Sequence, residues 1–344
     1  MRKVKIILKR SAIVLAITLV LITWFLYSIM WICVNGPSKR ARDLFVLSVK
    51  ETSAVGFLAN IYLSKSQISE IIKNNSVVAN DEETDTSLIK INRNKDKTVY
   101  TTEDDTKENK EDIYAEEDGI KIINISSPMY KGKLAIISDP SRVHIGTSGE
   151  YGKDKSGKTV SSIALSYGAV LATNAGGFID EKGFGLGGEP LGMVISKGKL
   201  LYGDNNKTYE ICGFTNDDIF VVGYMSPQKA VEKGIRDAVS FGPALIVNGV
   251  MSSINGTGGG MNPRTVIGQR KDGAVLLLVV DGRQAGSFGA TYQDVANIMR
   301  DYGAVNAFNL DGGSSSAMYY NGRIINSVST GGPLRDLPTS IIVE

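Results

Sequence analysis

Asn306-Ala307-Phe308-Asn309-Leu310-Asp311-Gly312-Gly313-Ser314-Ser315-Ser316-Ala317-Met318 is a short apolar run that ends in a carboxylate, two glycines and three hydroxyls. Its apolar residues alternate as in a buried strand, and Asp311-Gly312-Gly313 gives a backbone that turns sharply and lets a ligand approach. Binding and catalytic groups gather at such strand ends. The plainer alternative is that Asp311 only caps its own turn. Upstream, Thr291 is placed to N-cap a helix carrying Val295, Ile298, Met299 and Tyr302, with Gly303 closing it, so the stretch completes a helix–strand unit.

A similar unit lies earlier in the chain. Thr159 to Tyr167 has a helical pattern, Gly168 sits at the C-terminal cap, and a strand over 169–173 ends at Asn174-Ala175-Gly176-Gly177-Phe178. Tyr167-Gly168-Ala169-Val170-Leu171-Ala172-Thr173-Asn174 and Tyr302-Gly303-Ala304-Val305-Asn306-Ala307-Phe308-Asn309 agree at six of eight positions. The agreement predicts two related units in which Asn174 and Asn309 end equivalent strands and face one cleft. Around them, 120–125, 134–138 and 142–145 read as strands, the last making His144 a strand residue. Ser226-Pro227 starts a helix predicted to run to about Val239, followed by a strand and turn over 241–249. A glycine-rich loop from Ser252 to Asn262 offers backbone N–H groups to an anion but lacks the spacing of a nucleotide P-loop. Val266–Gln269 and Ala274–Val280 form a hairpin across Lys271-Asp272-Gly273, where Asp-Gly favours a type I′ turn. The fold class is therefore α+β: a mixed, strand-rich single domain over residues 119–344.

What precedes this domain differs in composition. Residues Ser11 to Val34 carry no charged side chain and follow Arg2, Lys3, Lys5, Lys9 and Arg10, the pattern of a membrane-spanning helix. Trp24, Phe25, Tyr27, Met30 and Trp31 fill its far end where a cleaved signal would have small residues, so residues 1–35 read as an uncleaved anchor. The basic residues before it outnumber Lys39, Arg40 and Arg42 after it, which puts the N-terminus in the cytoplasm and the domain outside. Residues 36–79 have helical spacing broken near Gly56 and predict a juxtamembrane helical pair. Residues 80–118 hold 14 acidic and 6 basic residues and read as a flexible spacer.

Composition also limits the function. A formal net charge of +2 gives no electrostatic footprint for nucleic acid. Two cysteines, Cys33 and Cys212, do not make a disulfide framework. One histidine, His144, argues against histidine-rich metal sites and, without a G-x-S-x-G elbow, against a serine triad. No cofactor is expected; a carboxylate-bound divalent cation stays open.

Two strands deliver carboxylates just before glycine, Asp281 and Asp311, and two arginines, Arg264 and Arg283, sit in adjoining loops. Paired carboxylates supply acid, base or nucleophile at an anomeric carbon, and arginine's planar fork binds phosphate oxygens, so the set suits glycosyl phosphate chemistry. The alternative is that the aspartates form turns and the arginines make ion pairs.

Across about residues 119–344 the chain resembles the phosphodiester glycosidase family. The resemblance rests on Asn174-Ala175-Gly176-Gly177-Phe178, Gly242-Pro243-Ala244-Leu245-Ile246-Val247-Asn248-Gly249, Pro263-Arg264-Thr265-Val266-Ile267-Gly268, Val280-Asp281-Gly282-Arg283 and Asn309-Leu310-Asp311-Gly312-Gly313-Ser314-Ser315, in that order. Ala175, Ile179 and Ser314 depart from the family pattern. The resemblance implies hydrolysis of a sugar-1-phosphodiester, of N-acetylglucosamine type, on a cell-surface glycan or exopolysaccharide. On this assignment Asp311 and Asp281 are the catalytic pair and Arg264 and Arg283 the phosphate clamp. Asn174, Asn309, Gly177, Gly312, Gly313, Ser314 and Ser315 contact substrate. Two alternatives keep the fold: a polysaccharide-binding or assembly module without catalysis, and a metal-dependent phosphoesterase using the same aspartates as oxygen ligands.

Overall fold

The long central strands explain the architecture. Val275–Val280 is apolar at every position and buried on both faces. Alternation divides it, with Val275, Leu277 and Val279 entering one core and Leu276, Leu278 and Val280 another. Each fully buried Leu contributes about 1.5–3 kcal/mol. In this computed structural model, which describes residues 2–52, 55–78, 80, 82–91, 111–180 and 185–344, that strand lies inside an antiparallel eight-stranded sheet. Its neighbours are Arg264–Arg270 and Lys131–Ile137, and Ala304–Asn309 lies one strand further on.

Among the described residues six helices run in chain order: α1 (Arg2–Asn35), α2 (Lys39–Lys50), α3 (Lys65–Asn74), α4 (Val160–Tyr167), α5 (Pro227–Glu232) and α6 (Tyr292–Asp301). Gly168 ends α4 in the left-handed region and Thr291 caps α6, as the sequence predicts; Thr159, read as the first helical residue, is instead the N-cap of α4, and Asp294 completes a capping box with Thr291. The two related units fall in different sheets. Helix α6 packs Val295, Ala296 and Met299 on the outer face of the eight-stranded sheet. Helix α4 packs Val160, Ile163 and Ala164 on a five-stranded sheet that contains Leu171–Asn174. The inner faces of both sheets share one core with a third sheet through Ile137, Leu171, Phe214, Phe308 and Ile341.

Two local expectations are corrected. Helix α5 ends at Glu232, not near Val239: Gly234 is left-handed and Ile235–Ser240 is a strand whose Ile235, Ala238 and Val239 are buried. The hairpin turn is not type I′, because only Gly273 of its loop has positive φ.

The N-terminal segments are attached to the domain. Helices α2 and α3 form the expected pair, burying Val46, Leu47, Ile68 and Ile71 against Ala59. The Asn75 side-chain oxygen accepts from the Thr257 N–H and hydroxyl at 2.7 and 2.9 Å, and Val77–Val78 pairs with Ser253–Ile254. The spacer expected over 80–118 is corrected at both ends. The Thr84 hydroxyl bonds both backbone groups of Val222, the Lys90 N–H donates to Lys271, Ile89 is buried, and Ile113–Glu117 is the edge strand of the large sheet. Residues 81 and 92–110 of that expectation lie outside the described residues. A chain starting at Gly119 is therefore expected to melt well below one starting at residue 36. Loss of two buried aliphatic contacts, about 3–6 kcal/mol, corresponds to a shift on the order of 10 °C. Equal melting temperatures would return the boundary to Gly119.

Candidate active site

The strand Ala304–Asn309 ends beneath a cavity of about 480 Å³. Asp311, Gly312, Gly313, Ser314 and Ser315 line one side, with Arg264, Arg283 and Asn262 beside them. Phe178, Phe241 and Tyr292 give apolar surface, and Asp180, Arg335, Glu51, Thr52, Ser329 and Thr330 complete the wall among the described residues. Aromatic faces mixed with charged groups suit a ligand with both a sugar ring and an anion.

Asp311 is held from three directions. Its N–H donates to Ala175 O at 3.0 Å, its carbonyl accepts from the Asn174 amide at 2.6 Å, and its carboxylate accepts from the Gly312 N–H at 2.9 Å. Burial pushes the Asp311 carboxyl up to about 6; the Ser315 hydroxyl, the Gly312 N–H and Arg335 oppose this and the Asp180 charge adds to it. Gly313 has φ of +60°, and a side chain there would meet the Arg283 guanidinium at 3.2 Å. The left-handed backbone is what calls for glycine here.

The arginines differ in kind. Arg264 is buried, with Nε on Ala290 O at 3.1 Å, Nη2 on Gly260 O at 2.8 Å and on the Glu51 carboxylate at 2.9 Å, and its guanidinium 4.1 Å from the Tyr292 ring centre. Arg283 is exposed, holds φ of 60°, and donates Nε and Nη2 to the Asn262 side-chain oxygen at 3.2 and 2.9 Å. A non-glycine residue in that region costs on the order of 1–3 kcal/mol and tends to mark a functional site. Arg335 reaches Asp180 at 3.1 Å with its guanidinium 5.2 Å from the Phe178 ring centre.

Several expected contacts lie elsewhere. Asp281 is not a lining residue; its carboxylate accepts from the Asn326 amide at 2.9 Å and the Ser327 N–H at 3.0 Å, fastening the turn that leads to Ser329 and Thr330. Burial raises its carboxyl against those bonds. Asn174 and Asn309 are fully enclosed, not facing a cleft. Asn174 bonds Asp311, Thr265 and Ala317, and Asn309 donates to Gly242 O at 2.8 Å. Polar strand ends pointing inward must find partners there, which makes these asparagines braces of the loop. Gly177 also stays off the cavity wall, and a side chain at it would meet the Phe241 ring at 2.5 Å. The glycine loop over 252–262 presents few amides to a ligand, since those of Thr257, Gly259, Gly260 and Met261 are taken by Asn75, Glu51 and Ser48. His144 lies 3.5 Å from Asp237, outside the cavity lining.

Sequence reasoning missed Glu51, Asp180, Tyr292 and Arg335. Phe178 closes one quoted motif, Phe241 adjoins another and Asp180 follows the first by two residues, a signal of position alone. Glu51 ends an amphipathic helix and has no motif. Among the described residues no three His, Cys, Asp or Glu cluster closely enough to hold a metal ion.

A sequence model of the phosphodiester glycosidase family matches residues 167–344. The chain is 31% identical over 208 residues to the SPbeta prophage-derived uncharacterized protein YomE of Bacillus subtilis, a match covering 56% of this chain and 30% of that protein. It is 28% identical over 214 residues to N-acetylglucosamine-1-phosphodiester alpha-N-acetylglucosaminidase of Mus musculus, covering 56% of this chain and 40% of that enzyme. The chain thus spans well under half the length of these curated relatives. The zebrafish catalytic domain of the same enzyme, auto-inhibited by its pro-peptide, shares the fold, with a TM-score of 0.56 and 23% identity over 65% of this chain and 82% of that one. The family match takes in more than half of the chain, including α6, both asparagine-ended strands and the Asp311 loop, and on that ground the chain belongs to the phosphodiester glycosidase family.

Proposed function

We propose that this protein hydrolyses a sugar-1-phosphodiester at the bond between the anomeric carbon and oxygen, releasing the sugar and leaving a phosphomonoester. The observation that carries this is Asp311, a carboxyl raised to about 6 on the wall of a cavity that also presents Arg283 and Arg335. A carboxyl with that affinity for its proton serves as acid in one half of a glycosyl transfer and as base in the other near neutral pH. The arginines balance the phosphodiester's charge, and phosphate leaves readily, so charge stabilisation carries much of the catalysis. Phe178, Phe241 and Tyr292 offer faces for the sugar ring. The mouse relative's name supports an N-acetylglucosamine-type sugar.

The reading extends to location. Val4–Asn35 within α1 is long and apolar enough to cross a membrane, and its side chains from residue 4 to 26 are exposed. Its basic flank then places the N-terminus in the cytoplasm and the domain outside, facing a cell-surface or exopolysaccharide glycan.

Hydrolysis of a panel of sugar-1-phosphodiesters in oxygen-18 water tests the reaction. The label is expected in the sugar. Label in the phosphate would mean P–O cleavage and a phosphoesterase; binding of the panel without turnover would leave a glycan-binding module.

A further inference from the structure

The connection between the apolar helix and the domain is short and folded. Helix α1 ends at Asn35, and α2 starts at Lys39 with Ser38 as its N-cap. The Tyr62 hydroxyl donates to Tyr27 O at 2.9 Å and Val34 is buried, so the segment after α1 folds back along the outer end of that helix. Tyr62 shares a hollow there with Trp24, Tyr27 and Trp31, an aromatic belt of the kind that sits at head-group level.

The same segment docks at one end of the domain. Glu51 bonds Asn262 and Arg264, and Ser48 Oγ accepts the Met261 N–H at 3.0 Å. The strands Arg264–Arg270, Val275–Val280 and Ala304–Asn309 lie side by side with their Arg264, Val280 and Asn309 ends towards the cavity, and their other ends about 20 Å away. The cavity end is therefore the end that faces the membrane. Chain length limits the distance. Between Thr52, on the cavity wall, and Tyr62 lie a turn in which the Gly56 N–H donates to Thr52 O at 3.0 Å and the 3₁₀ helix Gly56–Ile61. One helical turn and six residues at 2.0 Å each put Thr52 within about 20 Å of Tyr62.

Exposed apolar side chains gather around this end. The Arg283 N–H donates to Phe288 O at 3.1 Å and the Phe288 N–H to Met129 O at 2.8 Å, and both Phe288 and Met129 are exposed. Ile179 and Leu191 are exposed on either side of the Phe178–Pro190 bridge, and Phe57 is exposed on the segment itself. Single exposed apolar residues are ordinary, but a set around one opening marks a surface that meets apolar material. Residues 36–79 also carry six basic and three acidic side chains, a balance that favours anionic head groups.

We propose that the substrate's phosphate is carried by a membrane lipid: the domain rests its cavity end on the outer leaflet and takes a lipid-linked sugar phosphate directly from the bilayer. This rests on the hydrolase and membrane readings above. A phosphodiester borne by a soluble polymer would need neither an apolar rim nor a cavity end turned to the bilayer. In the reaction a water oxygen bonds to the anomeric carbon, and the carbon–oxygen bond to phosphate breaks with its electron pair left on the phosphate oxygen. That oxygen gains the proton that water loses, and the lipid monophosphate stays in the membrane.

The full-length protein is reconstituted in phosphatidylglycerol–phosphatidylcholine vesicles that hold a polyprenyl N-acetylglucosaminyl phosphate. Its initial rate is compared, at equal bulk concentration, with that on the soluble methyl diester of the same sugar phosphate and on the same sugar phosphate linked to dextran. The lipid-linked substrate is expected to turn over at least about 100-fold faster, from the gain in effective concentration. Equal rates, or a preference for dextran, overturn the proposal and leave the hydrolase reading standing, provided oxygen-18 from water enters the sugar. No turnover of any of the three brings down both. The double variant Phe57→Asp, Phe288→Asp is expected to lose about tenfold or more on the lipid-linked substrate, with the methyl diester rate and the melting temperature unchanged. An unchanged lipid rate, or equal loss on both substrates, overturns the proposal.

A phospholipid with a photoreactive diazirine near its head group gives a readout apart from activity. After trypsin, label is expected on residues 51–65 and 284–300, which follow Lys50 and Arg283, as well as on α1. Label on α1 alone overturns the seating of the domain, and label nowhere overturns the membrane reading with it.

Discussion

Asp311→Asn is expected to lower turnover by at least about 100-fold, the lower range for a positioned acid or base, while substrate binding is largely kept. The substitution preserves the shape and the acceptor for the Gly312 N–H at 2.9 Å but removes the titrating proton. Its effect on stability has a definite sign. The carboxyl is raised from 3.8 to about 6 in the folded protein, chiefly by burial. Between those values the folded state holds the proton more tightly than the unfolded chain, so this group's contribution is fully present below about 4 and is lost as pH rises through 6. Asparagine does not titrate, so above pH 6 the variant is expected to melt no lower than its parent. The parent's kcat/KM should show a limb near pH 6 that the variant lacks. Hydrolysis of one sugar-1-phosphodiester and melting curves, each at several pH values, check this. A folded variant with near-normal turnover would remove Asp311 from catalysis, and melting temperature falling in step with activity would make it a turn former.

Asn174→Ala is expected to cost stability, not affinity. The side chain is fully buried, donates to Asp311 O at 2.6 Å and accepts from Thr265 Oγ1 at 2.7 Å and Ala317 N at 3.3 Å. Alanine orphans groups on three segments at once. At about 1–3 kcal/mol per buried group left unpaired, the loss is about 3 kcal/mol or more, and the melting temperature falls by roughly 6–12 °C. Turnover should fall as well, because the bond to Asp311 O positions the carboxylate loop. The opposite pattern, an unchanged melting temperature with a raised KM, would make Asn174 a substrate contact after all.

These outcomes show where local sequence stops being informative. The caps at Thr291 and Gly168 depend on neighbours three or four residues away and were legible as such. So was the strand–loop delivering Asp311, because alternation and Asp-Gly-Gly are local signals. The helical pattern after Ser226-Pro227 runs past Gly234, but Gly234 is left-handed and Ile235–Ser240 is a strand because the sheet buries it. Tertiary burial overrides propensity when an apolar segment has two ways to be covered.

The polar residues divide along the same line. Asp281, Asn174 and Asn309 carry the same strand-end pattern as Asp311, yet only Asp311 lines the cavity, because the other three meet partners in neighbouring loops. Sequence alone determined the α+β class, the apolar N-terminal helix, the helical pair after it and the family, since each rests on short-range periodicity or on ordered motifs. Only the tertiary structure decided which aspartate faces the cavity and that Arg264 is spent on Glu51, with Glu51, Asp180 and Arg335 completing the wall. The physical reason is distance along the chain: Glu51 and Arg264 meet at 2.9 Å across more than two hundred residues, and no local pattern encodes a pairing made by packing α2 against the loop before Arg264.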